Sequence, residues 1–148
     1  MRHFYLYLIK KEFAEHFYHR ESKIFQLYQE FFWTRKTHPI FEQLERQVNY
    51  ISRAIPISEI DLLLQSFLSH RNHYQKVSSI HAIQMENQKG QATMVLKERY
   101  IEMICTGSFD GELLFFDILG KFDPYFFAMD FTNERYGWLS PIKERKFV

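Results

Sequence analysis

Residues 2–21 read Arg2-His3-Phe4-Tyr5-Leu6-Tyr7-Leu8-Ile9-Lys10-Lys11-Glu12-Phe13-Ala14-Glu15-His16-Phe17-Tyr18-His19-Arg20-Glu21. Phe4 to Ile9 form an unbroken apolar and aromatic run of six residues. Such a run suits a buried strand and is too short to span a membrane. A helical pattern follows at once. Phe13 and Phe17 are four residues apart, which places them one above the other on one helix face. Lys10, Lys11, Glu12 and Glu15 surround them with charge. The stretch therefore predicts a core strand feeding a short helix that carries two phenylalanines. Periodicity alone turns such a pair inward. Ala14 and Tyr18 on an adjacent strip offer an alternative inward face, which leaves the phenylalanines outside.

Downstream, Ser22 is positioned to cap a second helix carrying Ile24, Phe25, Tyr28, Phe31 and Phe32. Thr37-His38-Pro39 reads as the start of a third helix reaching about Ser52. Its inward stripe is Phe41, Leu44, Val48 and Ile51, with Gln43, Arg46, Gln47 and Asn49 lying off the stripe's centre. Ser58 and Asp61 resemble a capping arrangement for a fourth helix built on Ile60, Leu63, Leu64, Phe67 and Leu68. His70 to Lys76 is polar and reads as a connection.

The period then becomes strand-like over Val77–Gln84, Gln91–Lys97 and Tyr100–Thr106. Asn87-Gln88-Lys89-Gly90 supplies a turn in which glycine is free to take positive φ. A fifth helix spans Glu112–Lys121, Tyr125–Phe131 is a buried strand, and Tyr136 and Trp138 read as sheet residues. The expected fold is α/β of the α+β type, one domain over residues 1–148. Its mixed, mostly antiparallel sheet is packed by about five helices. The N-terminal strand inserts into a sheet built largely from the C-terminal half.

Composition narrows the function. A chain of 148 residues is long enough for one domain that buries about 68–70% of its unfolded surface. Basic and acidic residues number 19 and 18, for a net charge of +1, which argues against a nucleic-acid footprint. The single cysteine, Cys105, forms no internal disulfide and fits a reducing cytoplasm. No signal-peptide pattern opens the chain and no apolar run reaches membrane length. The 18% aromatic content is high; rings fill cores and are enriched at protein interfaces.

Chemistry-bearing motifs are sparse. His16 pairs with His19, and His70 with His73, at a spacing that presents two imidazoles to one metal. Zinc needs three or four ligands and no cluster completes either set, so surface histidines are the better reading. Cys105 lies in a predicted strand with no local nucleophile signature and reads as a buried small hydrophobe. No glycine-rich phosphate loop occurs. Glu102, Asp110, Asp117 and Asp130 are scattered, and Asp130 suits a hydrogen bond to Arg135 or to a turn. Lys143-Glu144-Arg145-Lys146 reads as a solvated tail. The pattern by itself reaches a cytoplasmic α/β binding module.

Several blocks carry more. Tyr7-Leu8-Ile9-Lys10, Glu12-Phe13-Ala14 with His16, and Arg20-Glu21-Ser22 lie near the start. Ala128-Met129-Asp130-Phe131, Arg135-Tyr136-Gly137-Trp138-Leu139, and Lys143-Glu144-Arg145 with Phe147-Val148 lie near the end. Across its length the chain resembles the SirA family of sporulation inhibitors of chromosome replication from Bacillus-type endospore formers. The resemblance implies a non-enzymatic inhibitor that binds the N-terminal domain of the replication initiator DnaA. It implies no cofactor, no metal, no small-molecule substrate, no membrane and no direct nucleic-acid contact. The family's contact surface maps onto Phe13, Phe17 and Gln47. The family pattern carries tyrosine then phenylalanine where this chain has Phe17-Tyr18, so the ring at 17 is kept without its hydroxyl, and Tyr18 joins the candidate partner-binding residues. The alternative is a small cytoplasmic enzyme using Cys105 or a histidine pair, and direct origin-DNA binding is a third reading.

Overall fold

The computed structural model describes residues 1–85 and 89–140. Eight strands form one sheet, β1 (Arg2–Ile9), β2 (Ser52–Arg53), β3 (Tyr74–Val77), β4 (Ile80–Gln84), β5 (Gly90–Leu96), β6 (Ile101–Gly107), β7 (Phe126–Asp130) and β8 (Arg135–Trp138). The helices are α1 (Lys11–His16), α2 (Glu21–Trp33), α3 (Phe41–Ile51), α4 (Ile57–Leu68) and α5 (Asp110–Phe122). The strand order is β3-β4-β5-β6-β1-β7-β8, with β2 added beside the end of β1. Neighbouring strands in this order run antiparallel.

β1 holds the centre, as its apolar run requires. Tyr5 pairs with Glu102 of β6 on one side and with Met129 of β7 on the other. Successive side chains on a strand point to opposite faces. Phe4, Leu6 and Leu8 therefore enter one core with α4 and α5, while Tyr7 and Ile9 enter another with α1, α2 and α3. The sheet is thus covered on both faces, which explains why β1 is apolar at every position from Phe4 to Ile9 instead of alternating with polar residues.

Local details depart from the sequence reading. Val77–Gln84 is not one strand. β3 and β4 form a hairpin, Tyr74↔Ile83 to Val77↔Ile80, whose turn is made by Ser78 at a φ of 55°. All of β3 but Val77 lies in the stretch expected to be a connection, because its alternation is hidden by Gln75 and Lys76 on an edge strand. Ser22 does not cap α2; the helix begins one residue earlier, and Glu21 accepts a hydrogen bond from the His19 backbone N–H at 3.2 Å. Pro39 lies in the turn before α3 and not in its first turn. Ser58 and Asp61 form no capping pair, since the Asp61 carboxylate reaches His81 instead, at 2.6 Å. Of the expected 87–90 turn, Asn87 and Gln88 lie outside the described residues, as does the Lys143–Lys146 tail. Gly90 is not the positive-φ glycine; Gly107 is, at 73°, where a Cβ would run into the Lys89 carbonyl.

Candidate functional site

The aromatic helix pair sits where β1 leaves the sheet. The Lys10 N–H donates to the Ile51 carbonyl at 2.9 Å, tying the entry of α1 to the end of α3. Ala14, fully buried, is the small residue that lets α1 approach the core. Phe13 and Phe17 are half-buried and lean on the aromatic core without entering it. Phe17 lies one residue past α1, its N–H donating to the Phe13 carbonyl at 2.9 Å. His19 then takes a φ of 68° and ends the turn, its ring 4.1 Å from that of Tyr18. Tyr18 is also half-buried.

The two phenylalanine rings do not stack on each other. Phe13 meets Tyr50 edge-to-face at 5.3 Å, and Phe17 meets His16 at 5.0 Å. Tyr50 is 66% exposed and carries the Lys10 ammonium 4.9 Å from its ring centre. Gln47, one turn earlier on α3, is exposed. Leu44, Val48 and Ile51 face inward and hold that helix against the sheet layer. The end of α3 is fixed from outside: the Arg99 guanidinium donates to the carbonyls of Asn49 and Ser52 at 3.1 and 3.2 Å. A cation on the last carbonyls of a helix is favourable on both hydrogen-bonding and dipole grounds. Phe13 thus touches Tyr50 of α3, one turn along from the exposed Gln47.

Tyr50 and Lys10 were not singled out from sequence. The signal was present: Tyr50 follows Gln47 by three residues and lies off the Leu44/Val48/Ile51 stripe.

The remaining candidates lie elsewhere. Cys105 is fully buried on β6, and burial, with the Glu112 carboxylate nearby, pushes its thiol up to about 12. Such a thiol stays protonated and is a poor nucleophile. Asp130, also buried, accepts hydrogen bonds from Arg135 Nη2 and Asn133 Nδ2, both at 2.9 Å, as its sequence position suggested. Burial works against its ionisation, but these hydrogen bonds outweigh burial and hold the carboxyl below its ordinary range. Glu102 lies 3.5 Å from Lys97, and Asp117 lies 3.2 Å from Lys121. His16 and His19 sit in the α1 turn, and His70 and His73 follow α4. Among the described residues no group of three or more His, Cys, Asp or Glu side chains is placed to hold a metal ion. No described helix is long and apolar enough to cross a membrane.

A polar trio went unnoticed in the sequence. His81 is fully buried between Tyr74 and Asp61, with Nδ1 at 2.6 Å from the tyrosine hydroxyl and Nε2 at 2.6 Å from the carboxylate. Burial lowers the imidazole's affinity for a proton, and the Asp61 hydrogen bond only partly restores it. The neutral ring then donates from Nε2 to Asp61 and accepts the Tyr74 proton at Nδ1.

Known proteins match this chain from end to end. The family described as sporulation inhibitor of replication protein SirA matches residues 2–143. A Bacillus subtilis (strain 168) relative named sporulation inhibitor of replication protein SirA is 43% identical over 147 residues, which cover 99% of each chain. With its helices on both faces of a central strand, this chain belongs to the SirA family of sporulation inhibitors of replication.

Proposed function

We propose that the protein restrains replication initiation during sporulation by docking on the N-terminal domain of the initiator DnaA, and that it does so in the cytoplasm without catalysing a reaction. The observation that carries this reading is Phe13, half-buried and in edge-to-face contact with Tyr50, the residue one turn along α3 from the exposed Gln47. A ring already fixed in place loses little conformational freedom on binding, and this preorganisation favours affinity. Phe13 and Phe17 supply apolar area to be desolvated, and Gln47 supplies a directional hydrogen bond. Tyr18 flanks them. A patch of this kind suits an interface of roughly 1,000–1,600 Å². Occupying that surface of the initiator blocks its assembly or its other partners, and no bond chemistry is needed. The buried, protonated Cys105 weighs against a cysteine-based reaction.

The test is a titration of the initiator's N-terminal domain with wild type and with Phe13→Ala. Truncating a central ring is expected to cost about 2 kcal/mol or more, roughly thirtyfold in affinity. Equal affinity with the fold intact, read by circular dichroism, would remove Phe13 as the anchor.

A further inference from the structure

Cover on both faces ends at β1. Met94 and Leu96 of β5, with Met103 and Cys105 of β6, enter the α4/α5 core. No residue of β3–β6 enters the core beneath α1–α3. The alternate positions of these strands therefore form a sheet face that no described helix covers. The register defines it. Val77 lies opposite Ile80, Ile80 opposite Val95, and Val95 opposite Glu102, which pairs in turn with Tyr5 of β1. The next row runs through Ala82, Thr93 and Ile104. Val77 is 69% and Ile80 41% exposed. The solvated face of an antiparallel sheet ordinarily carries polar residues. This one carries branched aliphatics, threonine and glutamine, and Glu102 is its one charged residue on β3–β6. The Lys97 ammonium lies 3.5 Å from that carboxylate.

The open face ends at a step. At its inner margin Tyr5 meets Phe32 of α2 at 4.5 Å, and Phe32 meets Tyr100 at 6.0 Å. From there the helix layer stands over β1, β7 and β8. The outer margin is the edge strand β3. A surface with one low half and one raised half is complementary to itself under a two-fold axis that runs parallel to the strands, midway between two facing sheets. The open halves then meet, and the helix layer of each copy stands beside the β3 edge of the other. A helix is ~10–12 Å across and packed sheets lie ~10 Å apart, so the helix layer and the facing sheet stand at similar heights.

We infer that this face binds a second copy of the chain, sheet on sheet. Strands ~4.8 Å apart, with same-face residues ~6.8 Å apart, give the open face an extent of roughly 20 by 20 Å. Two copies face to face then remove on the order of 1,000 Å² from water, the lower bound of a specific interface, so the dimer is weak and reversible. Charge favours a like partner over an unlike one. The face offers no excess charge with which to select a charged protein, and Glu102 already has Lys97 beside it. Amides and hydroxyls both donate and accept hydrogen bonds, so the glutamines and threonines can pair with their own copies across a two-fold interface. Phe13 lies beyond the end of β1 and is not on this face, so the dimer stands independently of the docking on the initiator.

Sedimentation velocity of the full chain over about 5 to 500 µM, the range in which a weak interface of this size responds, tests this. Monomer is expected at the dilute end and dimer at the concentrated end. Ile80→Lys places an unpaired charge in both halves of the interface and is expected to weaken dimerisation about tenfold or more. Leu62→Lys makes the same kind of change on α4, on the opposite side of the sheet, and is expected to leave it unaltered. Both side chains are exposed, so both variants are expected to fold, and circular dichroism checks that they do. The methyl resonances of Val95 and Ile104 are expected to shift with concentration in the wild type and not in Ile80→Lys. Monomer at every concentration would overturn the assignment and leave the face to an unlike partner. A dimer that Ile80→Lys leaves intact, or that Leu62→Lys weakens as much, would overturn it by placing the contact elsewhere.

Discussion

The two faces of the sheet are built from different materials. On the α4/α5 face, Leu6, Leu8, Ile60, Leu64, Leu68, Met94, Met103 and Leu119 dominate, with a few rings such as Phe115 and Phe126 among them. On the α1–α3 face the core is a continuous ring assembly. Tyr7 meets Tyr28 at 4.3 Å, Tyr5 meets Phe32 at 4.5 Å, and Phe32 meets Phe131 at 4.8 Å. Branched aliphatic side chains gain from complete burial and offer nothing to water. Rings pair edge-to-face and remain favourable when half-exposed, and a tyrosine carries a polar tip. The aromatic face can therefore continue outward through Phe13 to Tyr50, whereas the aliphatic interior supports the sheet. One strand serves both: β1 gives Leu6 and Leu8 to one face and Tyr7 and Ile9 to the other.

The largest effect that separates the faces is on stability. Phe126 is fully buried in the aliphatic core. Phe126→Ala is expected to lower the unfolding free energy by about 3–5 kcal/mol, read from urea denaturation. Phe13→Ala, at a half-buried position, is expected to lower it by about 1 kcal/mol. Comparable losses at both sites would mean that Phe13 is a core residue and that the contrast between the faces is false.

What was legible in the sequence follows the same division. The Phe4–Ile9 run disclosed the central strand, because a strand covered on both faces cannot hide its apolar character. The helix stripes were plain in part: on α4, Ile60, Leu64 and Leu68 are buried, but Phe67, read onto the same stripe, is exposed because it lies at that stripe's edge. Long-range polar partners were not. Ser58 and Asp61 have a cap-like spacing, but His81, twenty residues on, takes the carboxylate, and no local rule anticipates that competition. The β3–β4 hairpin was missed because its turn is carried by a serine at positive φ in place of glycine or asparagine. At the candidate site, periodicity alone turned Phe13 and Phe17 inward, whereas both rings are half-buried at the edge of the aromatic core. Spacing within α3 marked Tyr50 as lying off the buried stripe near Gln47, but its contact with Phe13 depends on α1 meeting α3, which spacing within one helix does not encode.

A second, smaller stability effect belongs to the α4 face alone. Burial keeps His81 neutral, whereas in the unfolded chain it titrates near its ordinary 6.5. Below that pH the unfolded state takes up a proton that the folded state refuses, so stability falls as the medium is acidified and is unaffected above it. Asp61 and Tyr74 face the ring directly, and the Lys76 charge adds to the refusal. Asp130, on the same face of β7 as Phe126 and Ala128, has its carboxyl held down, so its contribution is lost only as pH falls below the ordinary carboxylate value of 3.8. Urea midpoints compared at about pH 7.5 and 5.5 should drop for wild type and drop less for His81→Asn. An equal drop in both would assign the pH dependence to other groups.

On the aromatic face the brace itself can be tested. Tyr50→Ala removes the edge-to-face contact with Phe13, a contact of about 0.5–1.5 kcal/mol, and frees Lys10. Affinity for the initiator's N-terminal domain is expected to fall about two- to tenfold. In a double-mutant cycle with Phe13→Ala the losses should add to less than their sum, because the brace has no value once its ring is gone. Strict additivity would show that Tyr50 and Phe13 act separately.

The smallest effect concerns the hydroxyl at position 17. Successive helical residues are about 100° apart around the axis, so Tyr18 does not share the face of Phe13 and Phe17. Its ring instead lies 4.1 Å from His19, in the turn that ends the helix. Tyr18 is therefore poorly placed to supply the polar contact that Phe17 lacks. Phe17→Tyr is expected to tighten binding by about 0.5 kcal/mol, the lower end of what one neutral hydrogen bond contributes. Tyr18→Phe is expected to leave binding unchanged. The reverse pattern, with Tyr18→Phe weakening the complex and Phe17→Tyr adding nothing, would place the hydroxyl at 18 on the contact surface and extend that surface into the turn.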